Sequence, residues 1–356
     1  MGVVILAIYG LFALVALSNL ILMRRPKPIG SSDEFCALIP ARNEEANLAE
    51  LIPQLKNQLP VPPKIYVYDD ESTDQTSKVA QENGAILLRA MESLPAGWTG
   101  KNRACHELAK AATEDSNAKW FLFLDADVRV DSDFLQRLSN LAKQAGPRVG
   151  VLTGFGKMLP GRGSEPLALA WVGWILLATN PFGIVSRTRL GHNGFTNGQI
   201  HAWRSDVYSR LWPNQLVKGR LLEDVAMGRL CAKEKVRIEV ANLSAGMRVR
   251  MYDTWREAVN GMSKNSYEIA GNTWGTIGIA AFFLTLSVLW VFAGPNLLWA
   301  LLLFTVSGLS VAATVRGTIW PALLMPGVCL VGSATILRSL VWKRKGRTTW
   351  KGRTYS

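Results

Sequence analysis

The sequence predicts an α/β domain built on a mostly parallel sheet with helices on both faces, held to a membrane by transmembrane helices at both of its ends. Three observations carry this expectation. Short apolar runs alternate with amphipathic stretches between residues 35 and 145, the pattern of a parallel sheet with right-handed crossovers. One run, Trp120 to Leu124, is apolar throughout, as in a strand covered on both faces, and it ends in Asp125 and Asp127. Both ends of the chain carry uncharged apolar segments long enough to cross a bilayer.

Residues 1–23 contain no charged side chain and span a bilayer at about 1.5 Å per residue. A cleaved signal peptide carries its positive charge ahead of the apolar run, whereas Arg24 and Arg25 follow it here. The segment therefore reads as an anchor, with the bulk of the chain on the cytoplasmic side. Residues 24–34 form a polar linker, and the domain itself is expected at 35–271.

Phe35 to Ile39 reads as a buried strand closed by Pro40, and Asn43 is placed to cap the helix that carries Leu48, Leu51, Ile52 and Leu55 on one stripe. Lys64 to Tyr68 is a second strand, terminating in Asp69, Asp70 and Glu71. Ser72 or Thr73 opens the next helix, which stops at Gly84 before a third strand at 85–88. Parallel strands end on one edge, so Asp69 and Asp70 share an edge with Asp125, and ligands of open α/β sheets bind beyond that edge. Asp125 and Asp127 are hard oxygen donors suited to magnesium or manganese shared with phosphate; the plain alternative is a polar turn, where Asp is a favoured residue.

Leu94 to Arg103 leads into a helical stretch at 104–112. Gly100-Lys101 is not a phosphate-loop motif, because Pro95 and Asn102 stand where that motif needs Gly and a hydroxyl residue. Lys101 and Arg103 read either as partners of a diphosphate at a helix start or as solvated charges. A helix at 133–145 and a strand at 150–159 follow. Residues 166–185 are apolar and tryptophan-rich but interrupted by Gly173, Asn180 and Pro181, which reads as a helix lying in the membrane interface, with buried core as the alternative.

Gly191 to Gly198 holds three glycines and predicts a tight loop. Glu223 and Asp224 then open a helix, where the dipole favours carboxylates whatever their function. Arg248 and Arg250 alternate with apolar residues and are expected on one face of a strand, with Trp255-Arg256 just beyond. Basic groups late in a domain whose acids hold a metal suit a pyrophosphate leaving group.

Residues 272–315 carry no charge and are broken by Gly294-Pro295-Asn296; a third apolar segment runs over 318–341. The region 272–342 is thus two or three helices, followed by a basic tail at 343–356. Four full spans starting outside would leave that tail on the outer face, against the positive-inside tendency, so one segment is expected to be re-entrant or interfacial. Most of the net charge of +13 lies in Arg24, Arg25, Lys27 and the eight basic residues after 315. That distribution excludes nucleic-acid binding by the central domain and places basic groups at a membrane surface. Four cysteines without CxxC spacing and three histidines that do not pair with them support neither zinc nor disulfides, as in a reducing compartment.

The ordered set Pro40-Ala41-Arg42-Asn43-Glu44, Asp69 to Thr76, Asp125-Ala126-Asp127, Glu223-Asp224 with Met227-Gly228, and Trp255-Arg256 resembles the family 2 glycosyltransferases, over roughly residues 35–270. The resemblance implies the GT-A fold, a Rossmann-like α/β arrangement, and an inverting enzyme. It implies that Pro40, Ala41, Glu44, Asp69 and Asp70, with Lys101 and Asp125, hold a nucleotide-sugar donor, UDP-hexose being favoured. Asp127 with Asp125 would bind a divalent cation, Mg or Mn, and Asp224 would be the base that deprotonates an acceptor hydroxyl. Glu223, Arg248, Arg250, Trp255 and Arg256 would line the diphosphate or acceptor region. The sequence lacks the Gln-x-x-Arg-Trp of the processive members, and Trp255-Arg256 reverses its last pair, which points to transfer of a single hexose. With Gly97-Trp98-Thr99-Gly100-Lys101 and the C-terminal apolar segments, the chain is similar to the membrane-bound branch of carotenoid (chlorobactene-type) glucosyltransferases and hopanoid-associated glycosyltransferases. That branch implies a lipid-phase acceptor, contact with membrane lipids and a multi-pass protein of the cell membrane. The alternatives are a polyprenyl-phosphate sugar transferase and a non-catalytic membrane scaffold of the same fold.

Overall fold

The computed structural model describes residues 1–188, 193–344, 349–350 and 353–354. In chain order the elements are α1 (Gly2–Leu22), β1 (Phe35–Ala41), α2 (Glu45–Lys56), β2 (Lys64–Asp69), α3 (Thr76–Glu82), β3 (Ile86–Arg89), α4 (Gly100–Asp115), β4 (Trp120–Leu124), β5 (Val128–Val130) and α5 (Phe134–Ala145). They continue with β6 (Val149–Phe155), β7 (Lys157–Met158), α6 (Glu165–Thr179), α7 (Phe182–Thr188), β8 (Ile200–Arg204), α8 (Ser205–Leu211), α9 (Pro213–Leu216), α10 (Glu223–Lys233), β9 (Arg237–Asn242) and β10 (Met247–Val249). The remaining elements are α11 (Trp255–Ala270), α12 (Thr273–Leu289), α13 (Leu297–Thr314), α14 (Met325–Arg344), β11 (Thr349–Trp350) and β12 (Arg353–Thr354). The basic tail expected at 343–356 lies mostly outside the described residues, as do Gly191 and His192 of the glycine-rich loop.

The chain forms two compact units. The sheet unit comprises the described residues of Arg24–Lys157 and Thr188–Val249. Its main sheet has the order β3-β2-β1-β4-β8-β6-β9. β3, β2, β1 and β4 run parallel, with Ala41 opposite Asp69 and Leu38 opposite Phe123, so their carboxyl ends share one edge as expected. β8 runs antiparallel to both β4 and β6. Its start therefore meets the end of β4, with Leu124 opposite Ile200. All five residues of β4 are buried, which accounts for its unbroken apolar character.

Two local expectations fail here. α2 begins one residue later than an Asn43 cap requires: Asn43 sits at φ 54°, and its Oδ1 accepts the Thr73 N–H at 2.8 Å. Asn tolerates the left-handed region, and its short side chain serves the neighbouring turn instead of its own helix. Likewise α3 starts at Thr76, not at Ser72 or Thr73, because Asp74 Oδ1 accepts the Thr76 N–H at 3.0 Å.

The helical unit comprises the described residues of Met1–Met23, Met158–Arg187 and Arg250–Ser356. It cuts the chain differently from the domain expected at 35–271, taking in the apolar segment 166–185 and the residues after 249. α6 does not present its tryptophans as an interfacial helix would: Trp171 and Trp174 are buried, and Trp174 Nε1 donates to Ser307 Oγ on α13 at 2.8 Å. A helix apolar on all sides is buried wherever neighbours are available, and Phe12, Phe283 and Phe304 supply ring contacts. Asn19 of α1 is fully buried; its Nδ2 donates to the Leu177 and Asn180 carbonyls at 2.7 and 2.8 Å, and its Oδ1 accepts the Gly183 N–H at 2.9 Å.

Four stretches are long and apolar enough to cross a membrane: Gly2–Leu22, Glu165–Thr188, Thr273–Thr314 and Trp320–Arg344. The third is interrupted as the sequence predicts, with Gly294 at φ 60° between α12 and α13.

Candidate active site

The end of β4 sets the site. Asp125 donates its N–H to the Gln199 carbonyl at 3.2 Å, which ties it to the residue preceding β8. Two residues further, Asp127 Oδ1 is buried and has no hydrogen-bond partner among the described residues. Burial, then the negative charges of Asp125 and Glu44, push the Asp127 carboxyl up to about 7, with Lys101 opposing. Glu44 thus belongs to the same electrostatic neighbourhood as Asp127.

Such an oxygen beside a second carboxylate fits a divalent cation, which would supply the missing partner. Among the described residues no group of three or more His, Cys, Asp or Glu could hold a metal. The protein side of such a site would then be Asp125 and Asp127, a sparse set of the kind magnesium shares with substrate phosphates and water.

α4 delivers the cation the chain provides itself. Thr99 caps this helix through its Oγ1, and Lys101 in the first turn places Nζ 2.7 Å from Asp125 Oδ1 and 2.7 Å from Glu223 Oε1. Burial works against the ammonium, yet Asp125 and Glu223 hold its pKa well above the ordinary lysine value. Lys101 is therefore not a solvated surface charge. It joins the end of β4 to the start of α10.

At that start Asp224 Oδ1 accepts the Val225 N–H at 2.7 Å and Oδ2 accepts the Gly198 N–H at 3.1 Å. Burial and the adjacent Glu223 charge push its carboxyl up to about 6, against Lys101 and the two backbone donors. Thr196 Oγ1 donates to the Asp224 carbonyl at 2.7 Å. The residues 196–199 thus connect Asp224 to Asp125, a role that the glycine content of the loop announces only as tight backbone. Gly228 explains the small residue one turn along α10: a Cβ there would lie 2.4 Å from the Gly194 carbonyl oxygen.

The acids at the end of β2 divide their roles. Asp69 Oδ1 accepts the Ser72 N–H at 2.9 Å and its other oxygen accepts the Ser77 hydroxyl, so Asp69 shapes the turn into α3. Asp70 donates its N–H to the Ala41 carbonyl at 2.9 Å, next to Pro40, and its carboxylate lies 3.9 Å from Arg42.

Arg248 is paired with Asp131 at 2.9 Å. β10 stops at Val249, so Arg248 and Arg250 do not share a strand face. Arg250 pairs with Asp253 at 3.7 Å, and Trp255 and Arg256 are exposed at the start of α11; all three belong to the helical unit. His201 is buried, accepts the Trp203 Nε1–H at 3.1 Å through Nδ1, and stacks on Phe123. Burial, reinforced by Lys101, pushes its pKa down to about 3, so it is a neutral part of the wall.

Residues 36–200 match the model of Glycosyl transferase family 2. A 4,4'-diaponeurosporenoate glycosyltransferase of Staphylococcus aureus (strain USA300) is 25% identical over 257 residues, covering 72% of this chain and 65% of the relative. The chain therefore matches a little under two thirds of that relative's length. A mannosyltransferase from Pyrobaculum calidifontis, solved in complex with GDP-Man and Mn2+, superposes with a TM-score of 0.55 at 14% identity, covering 96% of this chain and 97% of the other. That likeness shows the GT-A type of fold.

Proposed function

We propose that this chain, which carries a glycosyltransferase family 2 domain at residues 36–200, moves a single hexose from a nucleotide-sugar donor to an oxygen of a lipid-phase acceptor, with inversion. The observation that carries the reading is the pairing of an unsatisfied buried Asp127 oxygen with an Asp224 carboxylate held by two backbone N–H groups. The first suits the cation of a donor diphosphate, and the second suits a base aimed at an acceptor hydroxyl. When bound, a divalent cation supplies charge stabilisation to the leaving diphosphate. Lys101 adds a fixed positive charge beside it, while Asp224 removes the acceptor proton. Mn2+ and GDP-Man, named with the Pyrobaculum protein, support a divalent ion and a nucleotide-sugar here.

The diaponeurosporenoate acceptor in the Staphylococcus relative's name supports an apolar, carotenoid-like acceptor. It also favours a second reading. A name ending in -oate describes a carboxylate, and an acceptor that is already an anion, carboxylate or polyprenyl phosphate, has no proton to give up. We further place the protein in the cell membrane as a multi-pass chain with its sheet unit on the cytoplasmic side. The four long apolar stretches and the basic residues that follow the first of them support this.

The deciding assay uses the full-length protein in lipid nanodiscs with Mn2+, labelled UDP-glucose or GDP-mannose, and hydroxy-carotenoid, carboxy-carotenoid and polyprenyl phosphate as separate acceptors. A product heavier by one hexose is the expected result; nucleotide binding without transfer to any lipid acceptor would leave only the scaffold reading.

With a hydroxyl acceptor the rate must also depend on pH. Because Asp224 is pushed up to about 6, it is ionised and competent above that value and protonated below it. Turnover at saturating donor is expected to fall about tenfold per unit as pH drops below 6, the slope of a single required base. A flat profile from pH 5 to 8 contradicts that role.

A further inference from the structure

Lys101 and Asn102 are neighbours on α4 that point into different parts of the sheet unit. Lys101 reaches Asp125 and Glu223, whereas Asn102 is fully buried and faces the backbone of residues 217–220. Its Nδ2 lies 3.0 Å from Thr99 Oγ1, 3.1 Å from the Val217 carbonyl, 3.3 Å from that of Lys218 and 3.0 Å from that of Arg220. Its Oδ1 accepts Asn214 Nδ2 at 3.0 Å, and Asn214 Oδ1 in turn accepts the Tyr208 hydroxyl at 2.5 Å. The Thr99 N–H donates to the Lys218 carbonyl at 2.8 Å, closing the same ring from the other side. A Cβ on Gly219 would approach the Gly97 carbonyl oxygen to 3.1 Å, so the two backbone segments run close together.

Lys218, Gly219 and Arg220 are exposed residues, and four residues after Arg220 the chain reaches Asp224. The fastening of this segment to α4 is thus carried by its inward carbonyls, which meet the Asn102 amide and the Thr99 N–H. An amide suits the place: its two N–H groups serve the carbonyls while its oxygen takes the Asn214 donor. A carboxylate of the same shape would turn an acceptor toward carbonyl oxygens; a methyl would take its donor from the Arg220 carbonyl and leave those of Val217 and Lys218 held only by the Arg220 and Thr99 N–H groups.

We propose that Asn102 is the positioning residue for Asp224: by fixing residues 217–220 to the first turn of α4, it sets where α10 begins and therefore where the carboxylate points. The inference rests on the reading of Asp224 as the base. Neither the sequence spacing of 122 residues nor the ion pairs of Lys101 require it.

The test is a double-mutant cycle on the full-length protein with a hydroxy-carotenoid acceptor. Asn102→Ala is expected to lower kcat roughly 10- to 100-fold, the scale of a displacement near 1 Å. Its affinity for UDP in the presence of Mn2+, read by calorimetry, stays within about twofold, because the proposed donor-binding acids are untouched. In an Asp224→Asn background the same change adds less than about a twofold loss, since there is no base left to misplace. Losses that multiply in the double variant, or a fall in UDP affinity that matches the fall in kcat, overturn the proposal and make Asn102 a general packing residue. If Asn102→Ala does not fold, Tyr208→Phe, at the outer end of the same chain of bonds, goes through the same cycle with the same criteria and a smaller first step. Wild-type turnover separates the two ideas: an inactive wild type sinks the enzymatic reading, whereas an active wild type with multiplying losses sinks only the role of Asn102.

Discussion

Asp224→Asn is expected to lower turnover on a hydroxyl acceptor by about 10²- to 10⁴-fold, the range over which a positioned general base acts. The substitution keeps an oxygen for one of the two backbone N–H groups that hold the side chain, so α10 retains its start. It removes the negative charge that burial and Glu223 already disfavour, so folding stability should hold or rise at neutral pH. UDP affinity with Mn2+ should be close to wild type, because Asp125 and Asp127 are unchanged. The same variant decides the acceptor chemistry: on a carboxylate or phosphate acceptor the loss should shrink to a few-fold. Near-wild-type turnover on every acceptor would falsify the base assignment.

Asp127→Asn should produce the opposite split. Its loss is expected to appear in both binding and catalysis, with turnover down roughly 10³-fold or more, as several kcal/mol of cation stabilisation corresponds to about three powers of ten. UDP binding should lose most of its dependence on Mn2+. Thermal stability without ligands should nevertheless increase above pH 7, because the substitution replaces a buried carboxylate that burial, Asp125 and Glu44 all oppose. A carboxylate that costs the empty protein stability and whose removal costs it the cation is one kept for a ligand. Unchanged Mn2+ dependence of UDP binding in this variant, measured by calorimetry, would remove Asp127 from the cation site.

The sheet edge was legible because it follows from strand order alone: apolar runs of strand length, ending in Asp69, Asp70 and Asp125, must finish together if the strands are parallel. The same logic could not supply β8, whose antiparallel course brings Gln199 to Asp125 and Gly198 to Asp224. Nothing in a glycine-rich loop specifies which strand direction it serves. Lys101 illustrates a second limit. Its partners lie 24 and 122 positions away, so its charge reads equally as surface or site until the fold pairs it with Asp125 and Glu223. Arg248 errs the other way: alternation put it on a strand face with Arg250, but β10 ends at Val249. Segment 166–185 was ambiguous for a physical reason, since an all-round apolar helix satisfies a lipid interface and a helix bundle equally well.

Asn19 has a bearing on how the helical unit is made. The first helix leaves the ribosome carrying an amide whose acceptors, Leu177 and Asn180, and whose donor, Gly183, are not synthesised until some 160 residues later. Under the proposed multi-pass placement, the amide spends that interval in hydrocarbon without these partners, a state the bilayer penalises and that favours late, selective docking onto α6 and α7. On that placement α1 is more than a tether, and a foreign apolar span of equal length should insert yet leave the carbonyls at 177 and 180 without the Asn19 donor.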